Sequence, residues 1–295
     1  MPNDTEMIIS IGDIHHNSTV ALCPSGAELD DGGTYSLSKG QWWLLRQFND
    51  FCEKLVELKK KYKPKRIITF WGGDLIDLDA KNRSWQYITR NPTSALDSFF
   101  TLVNPIVELS DVNIVLKGTP AHSGKSSWLE TEIGRELNAV PDESTGKSAW
   151  WYFKGEFGGV KFDATHTAPM GRLPWTQGNS LNRLAIELQL EYMGERLPDL
   201  ALRWHNHRKY DTYDNYLIRL ISCPSWCLKQ DYLWKDSKPN GSDIGSNVII
   251  CQNGVYECIK MNYSIPRIPT WKPEKATSQK QTFGKSLTGI FKGKT

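Results

Sequence analysis

The stretch MIISIGDIHHN, residues 7–17, joins a short apolar run to a polar segment rich in ionisable residues. Its first five residues have the length and composition of a buried β-strand. Asp13 and His15 follow directly after that predicted strand. Because they are two residues apart at a strand end, both side chains can project to the same side. The stretch therefore predicts a strand that brings a carboxylate and an imidazole to one point.

Other predicted strands end in the same way. RIITFW, residues 66–71, and VNIVLK, residues 112–117, are short apolar runs, and FDATHT and LRWHNHRK end two later ones. The ionisable residues at these four ends are Asp74 and Asp77, His122, His166, and His205 with His207. Ligand sites of open α/β sheets are built at the carboxyl ends of strands, so these side chains predict a shared site. All six histidines, counting His16, for which we assign no role, lie in such segments.

The order of predicted elements indicates one α/β domain over residues 1–270. Ser38 and Gln41 form a capping-box pattern at the start of the first predicted helix. The predicted helices cover residues 39–62, 94–109, 126–138 and 180–196. A hairpin is predicted across residues 150–166, and further strands at 199–204, 213–221, 246–251 and 255–260. This order predicts two sheets with helices outside them.

Composition sets the limits within which a function must fall. The 295 residues are 39% hydrophobic and 23% charged, which excludes a disordered protein. No apolar run approaches the roughly 20 residues that would span a membrane, and residues 1–13 lack the features of a signal peptide. We therefore expect a soluble, cytoplasmic protein with no membrane partner. Residues 271–295 carry six lysines and one acid, which predicts a disordered basic tail, with weak attraction to phosphate backbones as the alternative.

Three other site types were weighed against the strand-end residues. Gly118 and Gly124 in LKGTPAHSGKSSWLE are separated by five residues, whereas a phosphate-binding P-loop needs four before its Gly-Lys pair. The letters WHNH would fit a ββα-metal nuclease only if a helix followed, and a strand pattern follows instead. The cysteines are expected to be buried free thiols. A zinc site built from Cys223, Cys227, Cys251 and Cys258 is the looser alternative.

The inventory of aspartates and histidines fits a two-metal hydrolytic site. In such sites carboxylate and imidazole ligands hold two divalent cations about 3.5–4 Å apart, and one carboxylate bridges them. The cations lower the pKa of a bound water and neutralise negative charge that develops on phosphate oxygens. The D-x-H and H-x-H pairs, together with a lone Asp and a lone His, would supply six ligands.

The same blocks resemble the calcineurin-like metallophosphoesterases. The pattern of that family runs D-x-H, G-D-x-x-D, G-N-H-D/E, a lone H, and G-H-x-H. GDIHHN, GGDLID, FDATHT and WHNH match its first, second, fourth and fifth blocks in order, with Trp204 in place of a glycine. The match extends from residue 8 to about residue 220. The resemblance implies an α/β fold of four layers, an αββα sandwich in which helices flank two mixed β-sheets.

The resemblance also implies a ligand set for two divalent metal ions. Mn²⁺ is the expected ion, and Fe, Zn or Ni also fit mixed imidazole and carboxylate ligands. The implied ligands are Asp13, His15, Asp74 and His207 for one ion, and Asp74, His166 and His205 for the other.

The third block is where the sequence departs from the family pattern. Where the family has Gly-Asn-His, this chain has Gly118, Thr119, Pro120, Ala121 and His122. The asparagine ligand is missing and the histidine lies two residues later. Three alternatives remain: Thr119 fills the position, water fills it, or the loop bulges so that His122 reaches the site. In the last case His122 would be the catalytic residue that faces the phosphate.

The substrate class is predicted from the second block. The phosphoprotein phosphatase branch has an arginine after G-D-x-V-D, whereas here Leu78 follows Asp77, and Asn17 replaces the glycine expected after the first histidine. GDLID is closer to the nuclease-type branch related to bacterial and phage DNA-repair exonucleases. We therefore expect a phosphodiesterase that acts on nucleic acid (DNA or RNA) or nucleotides. The alternatives are a phosphomonoesterase and a catalytically inactive interaction module with the same fold. Tryptophans 42, 43, 150, 151, 175 and 204 are candidates for base stacking, although most such residues belong to a core.

Overall fold

The computed structural model describes residues 4–78, 86–169, 171, 176–230 and 241–266. Within these ranges the chain forms ten β-strands and five α-helices. The strands are β1 (Glu6–Ile11), β2 (Arg66–Trp71), β3 (Val112–Val115), β4 (Phe153–Phe157), β5 (Val160–Thr165), β6 (Leu200–Arg203), β7 (Tyr210–Asp211), β8 (Arg219–Ser222), β9 (Ile244–Gln252) and β10 (Val255–Tyr263). The helices are α1 (Lys39–Tyr62), α2 (Pro92–Val107), α3 (Pro120–Ser123), α4 (Trp128–Glu136) and α5 (Gln177–Glu191).

The strands form two five-stranded sheets, and both are mixed. The first has the order β10-β9-β1-β2-β3, in which β1, β2 and β3 are parallel and β9 runs antiparallel to β1. The second has the order β4-β5-β6-β8-β7, in which β5, β6 and β8 are parallel and the edge strands are antiparallel. Both sheets therefore have a parallel centre, whose strands end at the same edge of each sheet.

Three separate cores show how the layers are stacked. Alternate residues of β1 serve different cores, as the two-residue period of a strand requires: Met7 packs with α1, α2 and α4, and Ile8 packs against the second sheet. The core between the sheets also contains Phe70 and Phe162. The third core joins α5 to the outer face of the second sheet. The predicted four-layer αββα sandwich is confirmed.

Helix α1 shows how closely local sequence fixes an element. The Ser38 side chain accepts a hydrogen bond from the Gln41 amide, and the Gln41 side chain accepts one from the Ser38 amide. Phe48, Phe51 and Leu55 are buried along one face. Burial of each such side chain is worth about 1.5–3 kcal/mol. The predicted bounds of 39–62 are confirmed.

One predicted strand is wrong over half its length. Residues 213–221 were expected to form a single strand, but the chain forms β7 before them and β8 only from Arg219. Tyr213 has a left-handed backbone with φ 50°, and the Asn215 amide donates to the Thr212 carbonyl. Leu217, which periodicity placed in the strand, is exposed. A turn over residues 212–215, with Tyr213 and Asp214 at its centre, therefore interrupts the apolar pattern.

The unit Met1–Ser264 contains every element named above. The predicted domain boundary at residue 270 and the predicted basic tail, 271–295, lie outside the described residues. None of the helices in the described part is long and apolar enough to cross a membrane.

Candidate metal centre

The strand-end loops of the two sheets are held together by backbone hydrogen bonds. After β1 and β2, the Asp13 amide donates to the Gly73 carbonyl and the His15 amide donates to the Asp74 carbonyl, both at 3.0 Å. The second sheet joins them through the His205 amide, which donates to Asp13 Oδ2 at 2.7 Å. These bonds bring the loops that follow β1, β2 and β6 to one edge of the molecule.

The first donor group consists of Asp13, His15 and His207, whose ligating atoms all lie within 4.8 Å of one another. The Nε2 atoms of His15 and His207 are 2.9 Å apart. Asp13 Oδ1 lies 3.8 Å from the first of these atoms and 3.6 Å from the second. This oxygen is buried and accepts no hydrogen bond within the described part of the chain. The three side chains therefore direct their donor atoms at a common point.

The second donor group consists of Asp74, His166 and His205, again within 4.8 Å. His166 Nδ1 lies 2.6 Å from the carbonyl oxygen of Gly72. Because a carbonyl oxygen can only accept a hydrogen bond, Nδ1 carries the proton. His166 Nε2 then points at Asp74 Oδ2, 3.1 Å away. The Thr119 amide donates to Asp74 Oδ1 at 2.6 Å, which fixes the carboxylate from the other side.

His122 reaches the site although it lies two residues later than the histidine of the family pattern. The loop is shortened there because Pro120–Ser123 form the short helix α3. Its Nδ1 lies 3.2 Å from Asp77 Oδ1, and its ring stands edge-on to that of His15 with centroids 4.5 Å apart. His15, Asp77 and His122 form a third group of donors within 4.8 Å. Asp77 was expected near the shared site but was not among the implied metal ligands or the catalytic residue. The sequence signal that could have identified Asp77 as a site residue is its place as the second aspartate of GGDLID.

The ionisable groups are buried close enough to shift one another's pKa. Burial and the charge of Asp74 raise the pKa of Asp13 to about 7, although His166 opposes this. Burial also acts to raise the pKa of Asp74, but His166 holds it well below the usual range. Burial acts to lower the pKa of His166, yet the charge of Asp74 and the hydrogen bond with it raise that pKa to about 9. Burial lowers the pKa of His207 to about 3. Such opposed shifts are typical of functional sites.

The backbone is strained at most of the same residues. Positive φ angles occur at Asp13 (46°), His15 (47°), Asp74 (48°), His205 (72°) and His207 (53°). Residues other than glycine rarely adopt this conformation, which costs of order 1–3 kcal/mol for each. Strain of this kind is retained only where the surrounding structure enforces it, and it clusters at ligand and active sites.

Trp204, which replaces the glycine of the family pattern, is completely buried. Its indole lies across two glycines of the strand-end loops. A Cβ at Gly72 would be 2.3 Å from the ring, and one at Gly12 would be 2.6 Å from it. Trp204 therefore fills space that is open because Gly12 and Gly72 have no side chains. Of the other tryptophans considered for stacking, Trp42 and Trp151 are each 48% exposed, whereas Trp175 lies outside the described residues.

His16 and the cysteines lie apart from the donor groups. His16 is buried and its Nδ1 lies 3.1 Å from the Leu22 carbonyl, so its partner is structural. The six cysteines are free. Cys251 and Cys258 are diagonal neighbours on β9 and β10 and pack in the core between the sheets. Among the described residues, no donor group includes a cysteine.

No protein-family model matches this sequence. No curated protein matches it either. Similar solved structures include a dimetal phosphatase from Danio rerio (11% identity, covering 88% of this chain and 99% of that one, TM-score 0.43). A single mutant of Vps29 from Entamoeba histolytica (12%, 88% and 99%, 0.37) and a novel phosphatase from Mycoplasma pneumoniae (11%, 88% and 93%, 0.35) are also similar. At such identities and TM-scores these similarities do not define the chemistry of this chain.

Proposed function

We propose that this protein is a metal-dependent phosphoester hydrolase with a dinuclear centre. The observation that supports it most is the convergence of six side chains from both sheets, all but the exposed His205 buried or partly buried, into two donor groups. Asp13, His15 and His207 would hold one divalent ion, and His166 and His205 the other, with Asp74 shared between them. Nitrogen and carboxylate donors suit Mn²⁺, Fe, Zn or Ni, and Mn²⁺ is the ion we propose.

The residues around the donors have separate tasks in this proposal. When bound, two divalent ions supply a hydroxide near neutral pH and neutralise phosphate oxygens. Thr119 keeps the Asp74 carboxylate in place through its amide and hydroxyl. Asp77 contacts Nδ1 of His122, which leaves Nε2 of that ring for the substrate. His122 would then donate a proton to the departing oxygen, a contribution of about 10²- to 10⁴-fold.

For the substrate we propose a phosphodiester of nucleic acid or a nucleotide. The proposal rests on the sequence resemblance of GDLID to the nuclease-type branch and on the absence of an arginine after Asp77, where Leu78 stands. The exposed rings of Trp42 and Trp151 offer stacking surfaces for bases. A phosphomonoesterase is the second candidate, because the donor groups alone do not distinguish a phosphomonoester substrate from a phosphodiester.

One experiment separates these possibilities. The full chain is loaded with Mn²⁺, its metal content is counted, and hydrolysis of bis-p-nitrophenyl phosphate, p-nitrophenyl phosphate and single-stranded DNA is measured. We expect two ions per chain and faster cleavage of the diesters. Faster cleavage of the monoester would replace the substrate assignment, and fewer than two ions with no hydrolysis would overturn the proposal. Asp97→Asn, an exposed aspartate on α2, serves as the unaffected control variant.

A further inference from the structure

Glu130 is a buried carboxylate that the proposed mechanism does not use. It lies in the first turn of α4 and its side chain is fully buried. Oε1 accepts a hydrogen bond from the Ser123 hydroxyl. Oε2 is buried and has no hydrogen-bond partner in the described part of the chain. A buried carboxylate oxygen without a partner is costly unless a proton or a cation lies against it.

The Glu130 carboxylate faces Asp74 across a glycine. A Cβ added at Gly118 would lie 2.2 Å from Asp74 Oδ1 and 2.8 Å from Glu130 Oε1. The charges of Asp74 and His166 both act on Glu130, so it borders the second donor group. Gly118 thus leaves no side chain between two buried carboxylates, an arrangement that is repulsive without a positive charge.

The two side chains considered as replacements for the missing asparagine are engaged elsewhere. The Thr119 hydroxyl donates to both oxygens of Asp74, at 3.2 Å and 3.1 Å, so it acts as a donor to a carboxylate. His122 turns towards Asp77 and His15. The second donor group therefore has one carboxylate and two imidazoles, and the Glu130 carboxylate, whose Oε2 has no hydrogen bond in the described chain, lies on the far side of Gly118.

We infer that Glu130 is a further ligand of the ion held by Asp74, His166 and His205, in the place of the missing asparagine. This inference rests on the proposed function. Glu130 is not in the group whose donor atoms all lie within 4.8 Å, so the side chain must turn to bind. The turn breaks no hydrogen bond of Oε2, since that atom has none in the described chain. A carboxylate in place of a neutral amide adds one negative charge to the ligand set and strengthens cation binding.

The test compares Glu130→Gln with wild type and with Glu136→Gln, which changes an exposed carboxylate on the same helix. Mn²⁺ is titrated into chelator-treated protein by calorimetry, and the melting temperature is measured with chelator and with Mn²⁺. We expect Glu130→Gln to weaken the binding of one ion by about 10- to 100-fold. Its melting temperature in chelator should match that of wild type, because burial and the Asp74 charge raise the pKa of Glu130 to about 8, and glutamine then replaces a carboxyl that is already largely neutral. Glu136→Gln should match wild type in both measurements.

Several results would overturn the inference. Binding of both ions by Glu130→Gln with wild-type affinity would show that the negative charge of Glu130 does not contribute to ion binding, and a lower melting temperature in chelator with unchanged affinity would show that the carboxylate is structural. If Glu130→Gln does not fold, Glu130→Asp keeps the charge and shortens the side chain, and wild-type affinity in that variant would overturn the inference equally. Failure of wild type itself to bind two ions would instead count against the proposed function.

Discussion

Strands β5 and β6 each contribute to two buried charged clusters that are built in opposite ways. Within the strands, Asp163 pairs with Arg203 at 2.6 Å, and Asp163 Oδ2 also accepts from the hydroxyls of Tyr152 and Tyr192. Just beyond the strand ends, His166 and His205 join Asp74 and the other donors. The first cluster contains its own cation. The second has imidazoles, carboxylates and an oxygen, Asp13 Oδ1, with no hydrogen bond in the described chain.

The difference is the one expected if the inner cluster serves the fold and the strand-end cluster holds the proposed metal ions. Arg203 donates to the carbonyls of Asp163 and Leu202, and its guanidinium pairs with Asp163 Oδ1, so that oxygen faces a cation although it accepts no hydrogen bond in the described chain. Breaking such a pair by removal of one partner costs about 3–5 kcal/mol. At the strand ends the backbone is strained and carboxylates lie close together, so a bound cation would stabilise the fold there. The same Asp→Asn substitution should therefore remove bound metal at the strand ends and leave bound metal unchanged in the inner cluster.

The largest effect is expected for Asp74→Asn. Loss of the shared carboxylate should lower kcat/KM for the diester by about 10³-fold and remove at least one ion. In chelator the variant should be less stable than wild type, because His166 and the Thr119 amide lose their charged partner. Metal counting, diester kinetics and thermal melts check the three points. Two retained ions with near-normal turnover would contradict the shared role of Asp74.

Asp163→Asn makes the same chemical change in the inner cluster. It leaves Arg203 without its charged partner, so we expect a loss of about 3–5 kcal/mol in the free energy of unfolding. Urea denaturation in chelator measures the loss. Turnover per folded molecule and the number of bound ions should remain those of wild type. A stable variant that has lost an ion would mean that the two clusters are not separate.

His122→Ala tests a residue at the rim of the donor cluster. Because a p-nitrophenolate departs without a proton and a sugar alkoxide does not, the variant should lose at least about 10²-fold on a natural diester and much less on the nitrophenyl ester. Metal content should not change. Equal losses on both substrates together with a lost ion would make His122 a metal ligand instead, and no change at all would make it a loop residue.

The smallest effect is expected outside both clusters, in the basic segment 271–295. Its removal should leave hydrolysis of bis-p-nitrophenyl phosphate intact and weaken single-stranded DNA binding at low salt. The difference should shrink as salt rises, because it depends on counterion release. Binding measured at several salt concentrations checks this, and equal affinity of both chains at low salt would contradict it.

Much of the fold could be predicted from the sequence because its signals are local. The capping box of α1, the apolar run of β2 and the polar residues after strand ends all lie within short segments. The contact of Asp77 with His122, and the positions of Glu130 and Asp74 on either side of Gly118, involve segments that are far apart in sequence or separated by a turn. Their direction depends on how α3 curls, and residue spacing does not determine that. The interruption before β8 was missed because Leu217 continued an apolar pattern that the turn overrides.

The indole of Trp204 against Gly12 and Gly72 has an evolutionary consequence. A methyl group at either glycine would overlap the ring, so Gly72→Ala should be harmful in this background and tolerated after Trp204→Gly. The order in which the two substitutions arise therefore decides whether the intermediate survives. As long as Trp204 is present, neither glycine can gain a side chain without overlapping the indole ring. A smaller residue at position 204 would remove that restriction.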